Sequence, residues 1–210
     1  MAEDGSWPSI RDRGLLSTKA IVDLYQPAEE IKAEILTTVR HRKIMLTRDG
    51  LPDAIIRDQM PLKFLDVCLE EGVTPQEYLD ALNGRVFFWV SAERLAKLLQ
   101  ARLYRNLRHT VLHVDTSALL KAYLDRVQLA PYNTGSMHVP RLPDGRTFEK
   151  LGAGKAAALL LGERVLIWYD PADPQHILVQ GHDGRVSDLV FVIAGAALVA
   201  AGAVIGTAAP

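Results

Sequence analysis

The residues best equipped for chemistry lie in a few short stretches. His109 and His113 stand four apart, and on a strand that spacing puts both imidazoles on one face with Val111 between them. A zinc site needs further ligands, and the single cysteine, Cys68, stands in no recognisable ligand spacing. The pair therefore reads as a shared face without metal, and Cys68 as inert core packing. Asp170, Asp173 and Asp183 could gather a cation, yet Asp170-Pro171-Ala172-Asp173-Pro174 is first a turn builder. Arg94, Lys97, Arg102, Arg105 and Arg108 form a basic run with no acid between them. Such a run can meet phosphates. With a net charge of −1 on the whole chain, a solvated helix face is the better reading, and nucleic acid is disfavoured as a partner. Trp89 and Ser91 could line a pocket where a strand meets its helix, although core packing is the plainer role for Trp89.

The elements that must position these residues can be read from apolar spacing. Arg85-Val86-Phe87-Phe88-Trp89-Val90, between Asn83-Gly84 and Ser91, reads as a strand buried on both faces and among the least exposed of the chain. Ser91 caps a following helix with Leu95, Leu98, Leu99 and Leu103 at helical spacing. Before that strand, Ser6-Trp7-Pro8 opens a helix that Gly14 stops, 15–18 is extended, and Thr18 caps a helix running to Tyr25. Pro27 starts another, with Ile31, Ile35, Leu36 and Val39 as its apolar stripe. Strands at 43–47 and 54–57 flank Arg48-Asp49-Gly50, residues 61–71 are helical, and Thr74-Pro75-Gln76-Glu77 is a capping-box pattern. Strands at 110–115 and 126–130 enclose a helix capped by Thr116. Irregular alternation of this kind predicts an α+β fold, a mixed central sheet with surrounding helices, rather than a doubly wound one.

Charge divides the chain. Residues 1–150 carry 21 Lys/Arg and 20 Asp/Glu, whereas residues 151–210 carry 3 and 5. The expected organisation is an α+β domain over 1–150, a small β-rich segment over 151–188 and a transmembrane helix over 189–208. The last run holds no charge, and about 20 residues at ~1.5 Å each span a bilayer core. Gly202 and Gly206 form a GxxxG match that would let two such helices associate. The first residues lack the apolar core of a secretory signal, so the 1–150 domain is expected to face the cytoplasm from a single-pass membrane protein.

Several separated motifs carry a resemblance. Ser6-Trp7-Pro8-Ser9-Ile10, Gly14-Leu15-Leu16-Ser17-Thr18, Ile56-Arg57-Asp58-Gln59, Arg85 to Ser91, His109-Thr110-Val111, Val114-Asp115-Thr116 and Asn133-Thr134-Gly135 stand in this order, ending at Thr147-Phe148. Over residues 4–150 the chain resembles an uncharacterised bacterial domain-of-unknown-function family. More loosely, the opening pattern is similar to ADP-ribosyltransferase-fold proteins such as the DNA-targeting toxins. That likeness implies a nearby NAD site and a Tyr-His pair on a strand just before Met1; no glutamate can be assigned as the usual catalytic acid. Residues 143–208 resemble a second small family of unknown function associated with bacterial membranes, through Asp144-Gly145-Arg146 and the stretch from Val165 to Pro174.

Two functions follow as expectations. One is a membrane-tethered, ADP-ribosyltransferase-like domain that binds NAD or a related nucleotide. In it Arg57 would grip a phosphate with its fork of N–H donors, Trp89 would pack on a ring, and Ser17 and Asn133 would supply hydrogen bonds. The other is a non-catalytic interaction module on a membrane anchor.

Overall fold

The computed structural model describes residues 2–69, 71–89 and 92–114, positions 119, 122, 123 and 135, and the backbone strands beyond them. β1 (Ala2–Glu3) leads into α1 (Trp7–Arg13), where proline in the first turn costs no hydrogen bond. Gly14 ends α1 at φ 82°, a backbone angle that side chains disfavour, with its N–H donating to Ile10 O. β2 (Leu15–Leu16), α2 (Thr18–Tyr25) and α3 (Glu29–Thr37) follow. β3 (Ile44–Leu46) and β4 (Ala54–Ile56) form the expected hairpin, with Met45 opposite Ile55. The period of two is plain there: Ile44, Leu46 and Ile56 are buried while Met45 and Ile55 face outward.

α4 (Leu65–Cys68) is a short remnant of the helix expected over 61–71. α5 (Pro75–Asn83) carries the full capping box: Thr74 Oγ1 accepts from Glu77 N, and a Glu77 carboxylate oxygen accepts from Thr74 N at 2.8 Å. β5 (Arg85–Trp89), α6 (Ala92–Leu99) and β6 (His109–Thr110) complete the well-packed part. Then come β7 (Val127–Ala130), β8 (Leu159–Leu160), β9 (Leu166–Asp170), β10 (Asp173–Gln180), β11 (Val190–Ala194) and β12 (Ala197–Leu198).

Two apolar clusters form the core of the described residues. In one, Val22, Tyr25 and Ile35 pack on Ile44, Leu46 and Ile56 of the hairpin. In the other, Leu62, Leu65, Cys68 and Leu69 pack on Tyr78, Leu79 and Leu82 of α5. Tyr78 and Ile35 are fully buried, one in each cluster. The fold is thus mixed α+β, with helices gathered over 7–99 around short sheets.

The largest sheet has the order β5-β11-β7-β8, with every neighbouring pair antiparallel. β12 pairs with β2, β1 with β6, and β9 with β10. Two expectations need correction here. The continuous helix over 189–208 is replaced, wherever that run is described, by strands at 190–194 and 197–198. An apolar run without polar residues has no face to reveal its period, and Val190, Val192 and Ile193 are β-branched. No helix among the described residues is long and apolar enough to cross a membrane. Gly202 and Gly206 lie outside the described residues. The second correction concerns β5, which is half-buried, with Phe87 37% exposed, instead of sealed on both faces. Its residues line a cavity.

Candidate ligand-binding cavity

The cavity has a volume of about 730 Å³. That is within the usual ~300–1,000 Å³ of small-molecule sites. Its walls come from α1 and the turn into β2, from β4 and the two residues after it, from the whole of β5, and from residues 111–114. The sequence places chemistry on each wall: Arg13 at the end of α1, Arg57 just past β4, Arg85, Phe87 and Trp89 on β5, and His113.

Arg57 has the most informative surroundings. Its guanidinium carbon lies 4.8 Å from the centre of the Tyr104 ring, a cation–π stack. One terminal nitrogen, Nη2, is buried and has no hydrogen-bond partner. A buried donor without an acceptor is costly and calls for an explanation. Tyr104 is in turn packed edge-on against His109, with ring centres 6.0 Å apart, and its carbonyl lies 3.1 Å from His109 Nε2. Burial, and then the Asp58 carboxylate, push the Tyr104 hydroxyl pKa above its usual value, while the Arg57 charge opposes the shift.

Behind Arg57 stands Arg40, 5% exposed and also a wall residue. Its Nε donates to Arg57 O at 3.0 Å, and its Nη1 donates to Ile35 O and to Asn83 Oδ1 at 2.6 and 3.0 Å. Its backbone exchanges two bonds with Gln59: Gln59 N donates to Arg40 O, and Arg40 N donates to Gln59 Oε1. The segment 57–59 is therefore clamped from both sides. Burial lowers the Arg40 pKa to about 10, with Asp58 pulling the other way. Arg85 is also shifted down by burial, and its Nη1 donates to Ala81 O at 2.7 Å.

Four arginines line the cavity, Arg13, Arg40, Arg57 and Arg85, against the carboxylates Glu3, Asp4, Asp53 and Asp58. Glu3 pairs with Lys43, and Asp4 with Arg108 at 3.2 Å, so two of the four acids are engaged by cations from outside the lining. The balance favours an anionic guest. Apolar surface from Phe87, Phe88 and Trp89 faces the same space and suits a flat ring.

Of the residues singled out from sequence, Arg57 and Trp89 meet at this cavity. Ser17 does not line it: 3% exposed, it caps α2 by accepting a hydrogen bond from Ala20 N at 3.2 Å. The cap falls on Ser17, not on Thr18, which is already helical. Asn133 and Ser91 lie outside the described residues. His113 lines the cavity and His109 supports Tyr104 instead; no group of side chains among the described residues could hold a metal ion. Asp170 and Asp173 are register partners across the β9–β10 hairpin. Cys68 is buried as expected, and burial raises its thiol pKa.

Sequence reasoning missed Arg40 and Tyr104. Arg40 sits in Arg40-His41-Arg42-Lys43, which looks like solvated surface, and nothing in the sequence separates it from its neighbours. Tyr104 did leave a trace, as the lone aromatic in the basic run from 94 to 108.

Residues 1–158 match a family of unknown function (DUF7002), and the chain belongs to that family. No curated protein and no solved structure matches the chain.

Proposed function

We propose that the domain binds a nucleotide, NAD or a related dinucleotide, in the cavity between α1, β4 and β5, as an ADP-ribosyltransferase-like fold would. The observation that carries this reading is Arg57 Nη2, a buried donor without an acceptor on a cavity wall that also bears aromatic rings. A small turn of the Arg57 guanidinium toward the cavity would give Nη2 a phosphate oxygen as its missing acceptor, in the two-bond grip that arginine makes on phosphate. Phe87 and Trp89 would take the adenine or nicotinamide ring. The volume is adequate for most of a dinucleotide if one end stays in water.

One pairing bears on which acid a transfer reaction would use. Glu3 is the single glutamate among the described wall residues, and it is tied to Lys43. A general base or an oxocarbenium-stabilising acid needs a free carboxylate at the reacting atom. The pairing occupies Glu3, whereas Asp53 and Asp58 on the same wall have no ion pair among the described residues, so the non-catalytic reading stays the second one.

Calorimetric titration of the full chain with NAD, ADP and inorganic pyrophosphate tests the proposal. Saturable binding of NAD is expected, weakened roughly tenfold or more by Arg57→Ala, on the scale of a charge-assisted bond. Trp89→Leu should weaken NAD while sparing pyrophosphate. If none of the three gives saturable heat, the cavity is not a nucleotide site.

A further inference from the structure

We propose that the turn segment 100–108 is a docking surface for an anionic lipid bilayer. Five backbone hydrogen bonds fold the segment into tight turns that continue from α6, among them Tyr104 N to Ala101 O at 2.8 Å and Leu107 N to Tyr104 O at 2.9 Å. Tyr104 is held inward by Arg57 and His109. With that ring as the inner peg, Arg102, Leu103, Arg105, Asn106, Leu107 and Arg108 are all exposed. Leu103 is 51% exposed and Leu107 45%.

The composition of that face selects its partner. Three arginines attract an anionic surface, and no acid occurs between Glu93 and Asp115 to oppose them. Asp4 reaches only Arg108, in a pair whose side chains are 81% and 50% exposed, which water largely screens. Nucleic acid would satisfy the arginines, but it gives two projecting leucines nothing to enter. A bilayer satisfies both: headgroup phosphates for the guanidinium groups and acyl chains for Leu103 and Leu107. Exposed leucines interleaved in sequence with exposed arginines are a costly arrangement in water and a productive one at that interface.

The test is sedimentation of the full chain with vesicles of phosphatidylcholine alone and of phosphatidylcholine mixed with phosphatidylserine. Binding to the mixed vesicles and little to the neutral ones is expected, weakening as salt rises. R102E/R105E should weaken binding by roughly thirtyfold or more. L103S/L107S should weaken it too, with the arginines intact. All four positions are exposed, so melting temperatures should match the parent, which separates lost docking from lost folding. Equal binding to both vesicles, or binding untouched by either double variant, would overturn the proposal and move membrane affinity elsewhere. So would retention by the parent and by L103S/L107S alike of a single-stranded oligonucleotide that outcompetes the vesicles; that outcome would assign the arginines to nucleic acid.

Discussion

At the scale of single residues, Arg40 is a cation held almost wholly by uncharged acceptors. Its folded pKa lies below the usual guanidinium value, so keeping the charge works against folding at every pH below about 10. That penalty fades only as pH climbs from there toward the unfolded value. The bonds to Ile35 O, Arg57 O and Asn83 Oδ1 offset it. Arg40→Ala should lower stability by about 3 kcal/mol in urea titrations, because three buried acceptors lose their donor. Arg40→Lys should recover little, since the three N–H groups of an ammonium leave one nitrogen and cannot span acceptors that Arg40 meets from both Nε and Nη1. A variant as stable as the parent would mean that water replaces the side chain. Tyr104 permits a cleaner separation of roles. Tyr104→Phe keeps the ring under Arg57 and should keep NAD affinity, whereas Tyr104→Leu removes the stack and should weaken it several-fold at a similar melting temperature. Cys68, raised in pKa by burial, should resist a thiol reagent at pH 8 until denaturant is added. Immediate reaction in native buffer would place the thiol at the surface.

At the scale of elements, legibility followed the local signals. The hairpin of β3 and β4, the capping box of α5 and the Gly14 stop were all visible in sequence because each rests on residues no more than a dozen positions apart. Thr74→Ala should therefore cost about 1 kcal/mol by thermal melting, the usual loss for a removed cap. Its partner acid responds to pH in a defined sense. Bonds from the Thr74 backbone and hydroxyl lower the Glu77 pKa, so the stabilisation is present above the unfolded carboxylate's pKa and disappears as pH falls through the folded one. The effect of Thr74→Ala should shrink in acid to match. What sequence hid is non-local. Nothing within 85–90 tells that one side of that strand borders a cavity, because an apolar wall and an apolar core use the same residues. Arg57 and Trp89 were found by type, but Tyr104 and Arg40 reach Arg57 from 47 and 17 positions away in sequence.

At the scale of the molecule, the four-stranded sheet takes strands from both sides of the charge boundary near residue 150. A chain ending at Asp188 loses β11 and β12, leaving β5, β7 and β2 without those backbone partners. We expect that chain to melt roughly 5–10 °C below the parent, with faster amide exchange at 85–89. Fractionation of cells carrying both versions gives the contrasting outcome. If the two melt alike and only the full chain pellets with membranes, the 189–208 run is an anchor and the strand pairing is wrong.

The sheet order also has a consequence for synthesis. The strand between β5 and β7 is β11, residues 190–194, which is synthesised long after both of its neighbours. While those residues are still inside the ribosome, β5 and β7 have already emerged with their facing edges open. The sheet can close only once β11 has emerged, and its pairing with β5 spans about a hundred positions, which is a slow kind of pairing. Until then two apolar edges are exposed to neighbouring nascent chains. Ribosome pausing or a stop codon ahead of β11 should therefore yield aggregates, not a shortened but folded domain.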